Sequence, residues 1–148
     1  MKRKDILIIS SIVICLSIIT IYKVNEEKAL NLGTVEGFEY YTDSNYTLEK
    51  DGTSGYPMML ILGSSTCNAC KDLDLVAKKL NKKYQGIVKI KYVDIYENIE
   101  IRKRFNPIVT PTIYFGDKAG KIRYSISGTT TEKEIINVFK KIGVKIDG

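Results

Sequence analysis

The chain has no histidine and no tryptophan, and only 3 cysteines and 3 prolines. A structural zinc site normally takes four ligands from Cys and His, so the ligand count argues against zinc within one chain. The lysines are spread along the sequence, and no basic stripe is interleaved with aromatics. That pattern is a solvated surface rather than a nucleic-acid interface. The formal net charge is +6, and Lys2, Arg3 and Lys4 at the N-terminus contribute to it, which leaves the remainder only mildly basic.

Those basic residues precede an uncharged run from Ile6 to Tyr22 dominated by Ile, Val and Leu. As a helix the run would span roughly 26 Å, slightly under a hydrocarbon core of roughly 30 Å, with Lys4 and Lys23 able to snorkel at the two ends. Positive charge stays on the cytoplasmic side, which sends the residues after Lys23 outward. A cleaved signal peptide is the competing reading, but no small-x-small site follows promptly, and Ala29-Leu-Asn31 is a poor match. The expectation is a single-pass anchor at residues 1–23 in the cell membrane, with the N-terminus cytoplasmic and the C-terminal domain extracytoplasmic. Cys15 lies inside the run and reads as an apolar residue in lipid.

The informative feature is the pair Cys67 and Cys70 in Gly63-Ser-Ser-Thr-Cys-Asn-Ala-Cys-Lys71. Cysteines at this spacing on a first helical turn come close enough to close a disulfide. The first lies where unpaired amides and the positive end of the helix dipole favour a thiolate, which makes it the attacking sulfur. Cys70 would then resolve a mixed disulfide with substrate. A two-coordinate site for a soft monovalent metal and a purely structural disulfide are the rival readings. Outside the membrane, where disulfides form and persist, a redox dithiol makes physical sense.

Around the pair the pattern alternates strand and helix. Met58 to Leu62 is a continuous apolar run, as in a strand buried on both faces. Leu73, Val76, Ala77, Leu80 and Tyr84 recur at helical spacing up to Gly86. Ile87 to Asp94 reads as a second, parallel strand, Asn98 to Phe105 as a short helix, and Thr112 to Phe115 with Lys121 to Ser127 as a hairpin. Thr131-Glu-Lys-Glu134 has the form of a capping box before a last helix. Residues 24–56 read as a tether and irregular extension with a short strand near Val35 to Tyr41. There Tyr40, Tyr41, Tyr46 and Tyr56 are expected to cover an apolar surface, a docking patch being the alternative. Residues 57–148 form one α/β domain, a mixed sheet between helical layers, with the dithiol at the carboxyl end of a central strand.

These residues resemble the thioredoxin superfamily. The resemblance covers about Pro57 to Ile142 and rests on Cys67-Asn-Ala-Cys70 followed by Lys71, the strand ending at Asp94, Phe105-Asn-Pro-Ile-Val-Thr-Pro-Thr112, and Gly128. It implies a thioredoxin fold, a thiol-disulfide oxidoreductase without cofactor or metal, and a cis-proline at Pro111 lying against the dithiol. It also implies that the backbone of Thr110 pairs with an extended substrate. Thr66 stands where the family has a tryptophan, so docking there is less aromatic. Asn68 and Ala69, with Lys71 beside them, would tune the dithiol. Ile61 and Ile90 are aligned with the family's buried acid and its lysine partner, which would leave the proton of Cys70 to water. With the anchor, the chain looks like the tethered extracytoplasmic members that pass electrons from a CcdA or DsbD type membrane donor to cysteine-containing extracytoplasmic proteins. Reduction is favoured over oxidation of such proteins. The alternative is a non-catalytic thioredoxin-fold module, a peptide holdase or soft-metal carrier.

Overall fold

Buried on both faces along its whole length, the apolar run becomes strand β1 (Met58–Gly63). In the computed structural model, residues 13–21, 40 and 55–147 are described. After β1 come α1 (Asn68–Lys83), β2 (Lys89–Asp94), α2 (Ile99–Phe105), β3 (Thr112–Gly116), β4 (Ile122–Ser127) and α3 (Glu132–Lys141). The sheet order is β2-β1-β3-β4, with β1 parallel to β2 and antiparallel to β3, and β4 antiparallel to β3.

The period of two along β1 divides the core. Met59 and Ile61 enter one cluster with Leu73, Ala77 and Leu80 of α1, Ile90 of β2, Phe115 of β3 and Ile135 and Phe139 of α3. Met58, Leu60 and Leu62 enter a second with Val93, Ile95 and Ile101 of α2. Helices α1 and α3 thus share one face of the sheet, and α2 covers the other. Phe115 and Phe139 meet edge to face at 5.4 Å, which ties β3 to α3.

Element order agrees with the sequence reading, and the bounds shift by a residue or two. The second strand begins at Lys89 rather than Ile87. The Val88 and Lys89 amides are already bonded to Tyr84 and Pro57 carbonyls, so Gly86 and Ile87 belong to the turn. The lysines of β2 are covered: Lys89 and Lys91 are only 8% and 5% exposed. Asn98 is the N-cap of α2, accepting from the Ile101 amide at 3.0 Å. The capping box of α3 is complete. The Thr131 hydroxyl accepts from the Glu134 amide at 3.3 Å, and the Thr131 amide donates to the Glu134 carboxylate at 2.8 Å.

The chain divides into the compact units Met1–Gly33 and Thr34–Gly148. In the first, residues 13–21 are helical. Among the described residues no helix is long and apolar enough to cross a membrane, and the expected span, Ile6 to Tyr22, lies partly outside them. The strand expected near Val35 to Tyr41 lies outside them apart from Tyr40, as do Tyr41 and Tyr46. Tyr40 packs against the first core cluster and donates to Asp74 of α1 at 2.8 Å, whereas Tyr56 is 40% exposed.

Candidate active site

Strand β1 hands over to α1 through Ser64, Ser65 and Thr66, and Cys67 is itself the N-cap of the helix. Its backbone is extended, and its sulfur accepts from the Cys70 amide at 3.3 Å. The carbonyl of Cys67 meanwhile accepts from the Cys70 and Lys71 amides, each at 3.2 Å. A sulfur in the capping position faces the donors that the first helical turn leaves open, so the cap stabilises negative charge on it.

The loop that carries this cap is tied down. The Cys67 amide donates to the Ser64 carbonyl at 3.1 Å, and the Ser64 and Thr66 hydroxyls bond at 2.9 Å. Asp94, at the end of β2 and 8% exposed, accepts from the Ser65 amide at 2.7 Å and from the Tyr96 amide at 2.9 Å. One carboxylate thereby joins the loops that follow β1 and β2.

Opposite the dithiol lies the Thr110-Pro111 peptide, which is cis. The Thr110 carbonyl is 3.7 Å from the Cys67 sulfur, and the Pro111 carbonyl accepts from the Gly128 amide at 2.8 Å. In the same loop Ile108 is 96% exposed and Val109 47%. Thr66 and Asn68 are exposed, Ala69 is half-buried between the cysteines, and Lys71 is exposed on α1. The structure therefore brings Cys67, Cys70, Thr110 and Pro111 together, with Thr66, Asn68, Ala69 and Lys71 around them.

Both thiols are free, and their environments pull them apart. Cys67 is held below the ordinary thiol pKa. The hydrogen bond with the Cys70 side chain is the largest cause, partial burial opposes it, and the Cys70 and Ala69 amides add to the lowering. The Thr110 side chain adds to the lowering, whereas the Thr110 carbonyl, 3.7 Å away, has no proton to give and favours the protonated thiol. Cys70, fully buried, is pushed up to about 11 by burial first and by its bond to Cys67 next. Cys67 is the thiol that ionises first.

Three residues that the sequence reading does not place in the site belong to its surroundings. Asp94 reads there only as the end of a strand. Gly63 closes a buried strand, a position where glycine signals close approach. Tyr92 fills the space that Gly63 leaves, and an added Cβ there would overlap the Tyr92 hydroxyl. In the strand register the neighbour of Ile61 on β2 is Tyr92, while Ile90 pairs with Met59.

A thioredoxin family model matches residues 42–141. No curated protein matches the chain. Among solved structures, a chloroplastic thioredoxin z superposes with a TM-score of 0.64 at 22% identity, covering 70% of this chain and 94% of its own. A mutant thioredoxin from Halobacterium salinarum NRC-1 gives 0.63 at 18% identity, covering 78% and 100%. At these identities the structural likeness is one of fold.

Proposed function

The chain belongs to the thioredoxin family, and from that premise we propose that it is a membrane-anchored, extracytoplasmic thiol-disulfide oxidoreductase that reduces disulfides of cysteine-containing proteins. The observation that carries the reading is the division of labour within one pair: Cys67 caps a helix with its sulfur lowered in pKa, while Cys70 is buried and raised to about 11.

In the proposed reaction the Cys67 thiolate attacks a substrate disulfide, forming a Cys67–substrate bond and releasing one substrate sulfur as a thiolate, which takes a proton from solvent. Cys70 then loses its proton and attacks the Cys67 sulfur. The mixed disulfide breaks, the second substrate sulfur leaves with the electron pair, and a Cys67–Cys70 disulfide remains. One dithiol has been oxidised and one disulfide reduced. The backbone of Thr110, beside Pro111, would pair with an extended substrate segment, and Thr66, Ile108 and Val109 offer it a surface of low aromatic content. Asn68, Ala69 and Lys71 flank the sulfurs and would set their potential.

Each turnover leaves a disulfide that must be reduced again. Outside the membrane no thiol pool does this, so the electrons would come through a membrane donor of the CcdA or DsbD type. The anchor reading is supported by the basic cluster before the apolar run and by helical residues 13–21. There the Ser17 hydroxyl donates to the Val13 carbonyl at 2.6 Å and that of Thr20 to Leu16 at 3.0 Å. Satisfaction of polar groups within the helix is what a bilayer demands.

Insulin reduction by the full-length protein in detergent tests the activity. The wild type is expected to turn over with a chemical reductant, and Cys67→Ser to be inactive. Retained activity in Cys67→Ser would overturn the assignment. Stoichiometric copper binding with no thiol exchange would favour the carrier reading instead.

A further inference from the structure

Cys70 has to lose a proton to resolve a mixed disulfide, yet its side chain is sealed from bulk solvent. Behind it lies a cavity of about 220 Å³ lined by Ser64, Ser65, Lys71, Asp74, Tyr92 and Asp94, together with Cys70 itself and Glu97. It has room for water, and although most of its exposed lining is apolar, the hydroxyls and carboxylates among its lining residues offer partners for it. Two of the three carboxylates there have other commitments: Asp94 accepts from two amides, and Asp74 accepts from Tyr40 and pairs with Lys78 at 2.6 Å; the third, Glu97, is exposed to solvent. The Tyr92 hydroxyl makes no hydrogen bond to the described residues. It reaches over Gly63, whose missing Cβ makes room for it, toward the end of β1 from which α1 and Cys70 depart.

We propose that Tyr92 is a positioning residue for the resolving step, its hydroxyl holding the cavity water through which Cys70 gives up its proton. The inference rests on the oxidoreductase reading above. In the step, the Cys70 S–H bond breaks and the proton passes to that water and out through the cavity mouth. The freed electron pair on sulfur forms the Cys70–Cys67 bond, and the Cys67–substrate bond breaks with its pair leaving on the substrate sulfur.

Burial raises the Tyr92 pKa, and the nearby charges at Cys70 and Asp94 raise it further. The phenol therefore stays protonated and acts as a donor and acceptor rather than as a base. The groups facing Cys70 are Cys67, Lys71 and Asp74 from α1, Ser64 and Ser65 from the preceding loop, Tyr92 and Asp94 from β2, Glu97 beyond it, and Thr110 across the site. Ile61, beside Tyr92 in the register, offers no proton-carrying group.

The test follows the reaction of the reduced full-length protein with dithiobis-nitrobenzoate, an aromatic disulfide that releases a coloured thiolate twice. The first release reports attack by Cys67 and the second reports resolution by Cys70. In Tyr92→Phe the first phase is expected to be unchanged and the second slowed about tenfold near neutral pH. The deficit should shrink as the pH approaches the Cys70 value of about 11, where hydroxide takes over. Gly63→Ala, which displaces the hydroxyl without deleting it, should slow the same phase. An unchanged second phase in Tyr92→Phe, or equal slowing of both phases at every pH, overturns the role of Tyr92. Absence of the first phase in the wild type overturns the oxidoreductase reading itself.

Discussion

Replacing Asp94 with alanine removes the carboxylate that joins the dithiol loop to the loop after β2. Two backbone amides, those of Ser65 and Tyr96, lose a carboxylate at 2.7 and 2.9 Å. Each such charge-assisted bond contributes about 1.5–3 kcal/mol net. Ser65 and Tyr96 are both exposed, so water can reach their amides and the lower figure applies, giving about 3 kcal/mol for the two. In urea, with a slope of about 1.5 kcal/mol per molar, the midpoint should fall by about 2 M. Asp94→Asn keeps an acceptor for one amide but points its own N–H at the other, so it should recover at most about half of the loss. Matched urea titrations of the full-length wild type and both variants read this directly, with Cys67 alkylation at fixed pH as a local report on the loop. An alanine variant within about 0.5 kcal/mol of wild type would show that the Asp94 tether is not what holds the dithiol loop.

Cys67 alkylation in the wild type should titrate below the ordinary thiol range, and in Cys70→Ala it should move up toward that range, because the largest cause of its lowering is the hydrogen bond with Cys70. An unmoved alkylation profile would contradict that cause. Phe139→Ala empties a fully buried site against Phe115 and should cost about 4 kcal/mol in the same urea titration. Thr131→Ala breaks the capping box of α3 and should cost about 1 kcal/mol. Glu134, its partner, has its pKa lowered by the Thr131 amide first. Its contribution is therefore present above the unfolded value and lost as pH falls through the folded one. The stability difference between wild type and Glu134→Gln should vanish in acid, and a difference that grows there would refute the pairing.

Much of the architecture is written in local pattern. The apolar run Met58 to Leu62, the helical spacing from Leu73 to Tyr84 and the Thr131–Glu134 box each specify an element without reference to the rest of the chain. The dithiol and Pro111 are legible because spacing and turn chemistry mark them. What pattern does not fix is register between parallel strands. A shift of two residues along β2 keeps every side chain on its own face, so Ile90 and Tyr92 are equivalent to a periodicity argument, and only the assembled sheet puts Tyr92 beside Ile61. The tie made by Asp94 is similarly hidden, since its partners belong to the loops after two different strands. Lys89 and Lys91 read as solvent-facing by type, but their place opposite the first core cluster leaves them covered.

In the proposed function Cys67 and Cys70 form one reversible couple that gives electrons to proteins. Equilibrating the full-length protein with dithiol–disulfide buffers, and counting free thiols at each ratio, measures that couple most directly. The expected result is a single two-electron transition between dithiol and intramolecular disulfide near about −270 mV, the range of a thioredoxin reductant. A pair that never closes its disulfide would contradict the couple itself, and a midpoint near about −120 mV would contradict the direction of electron flow.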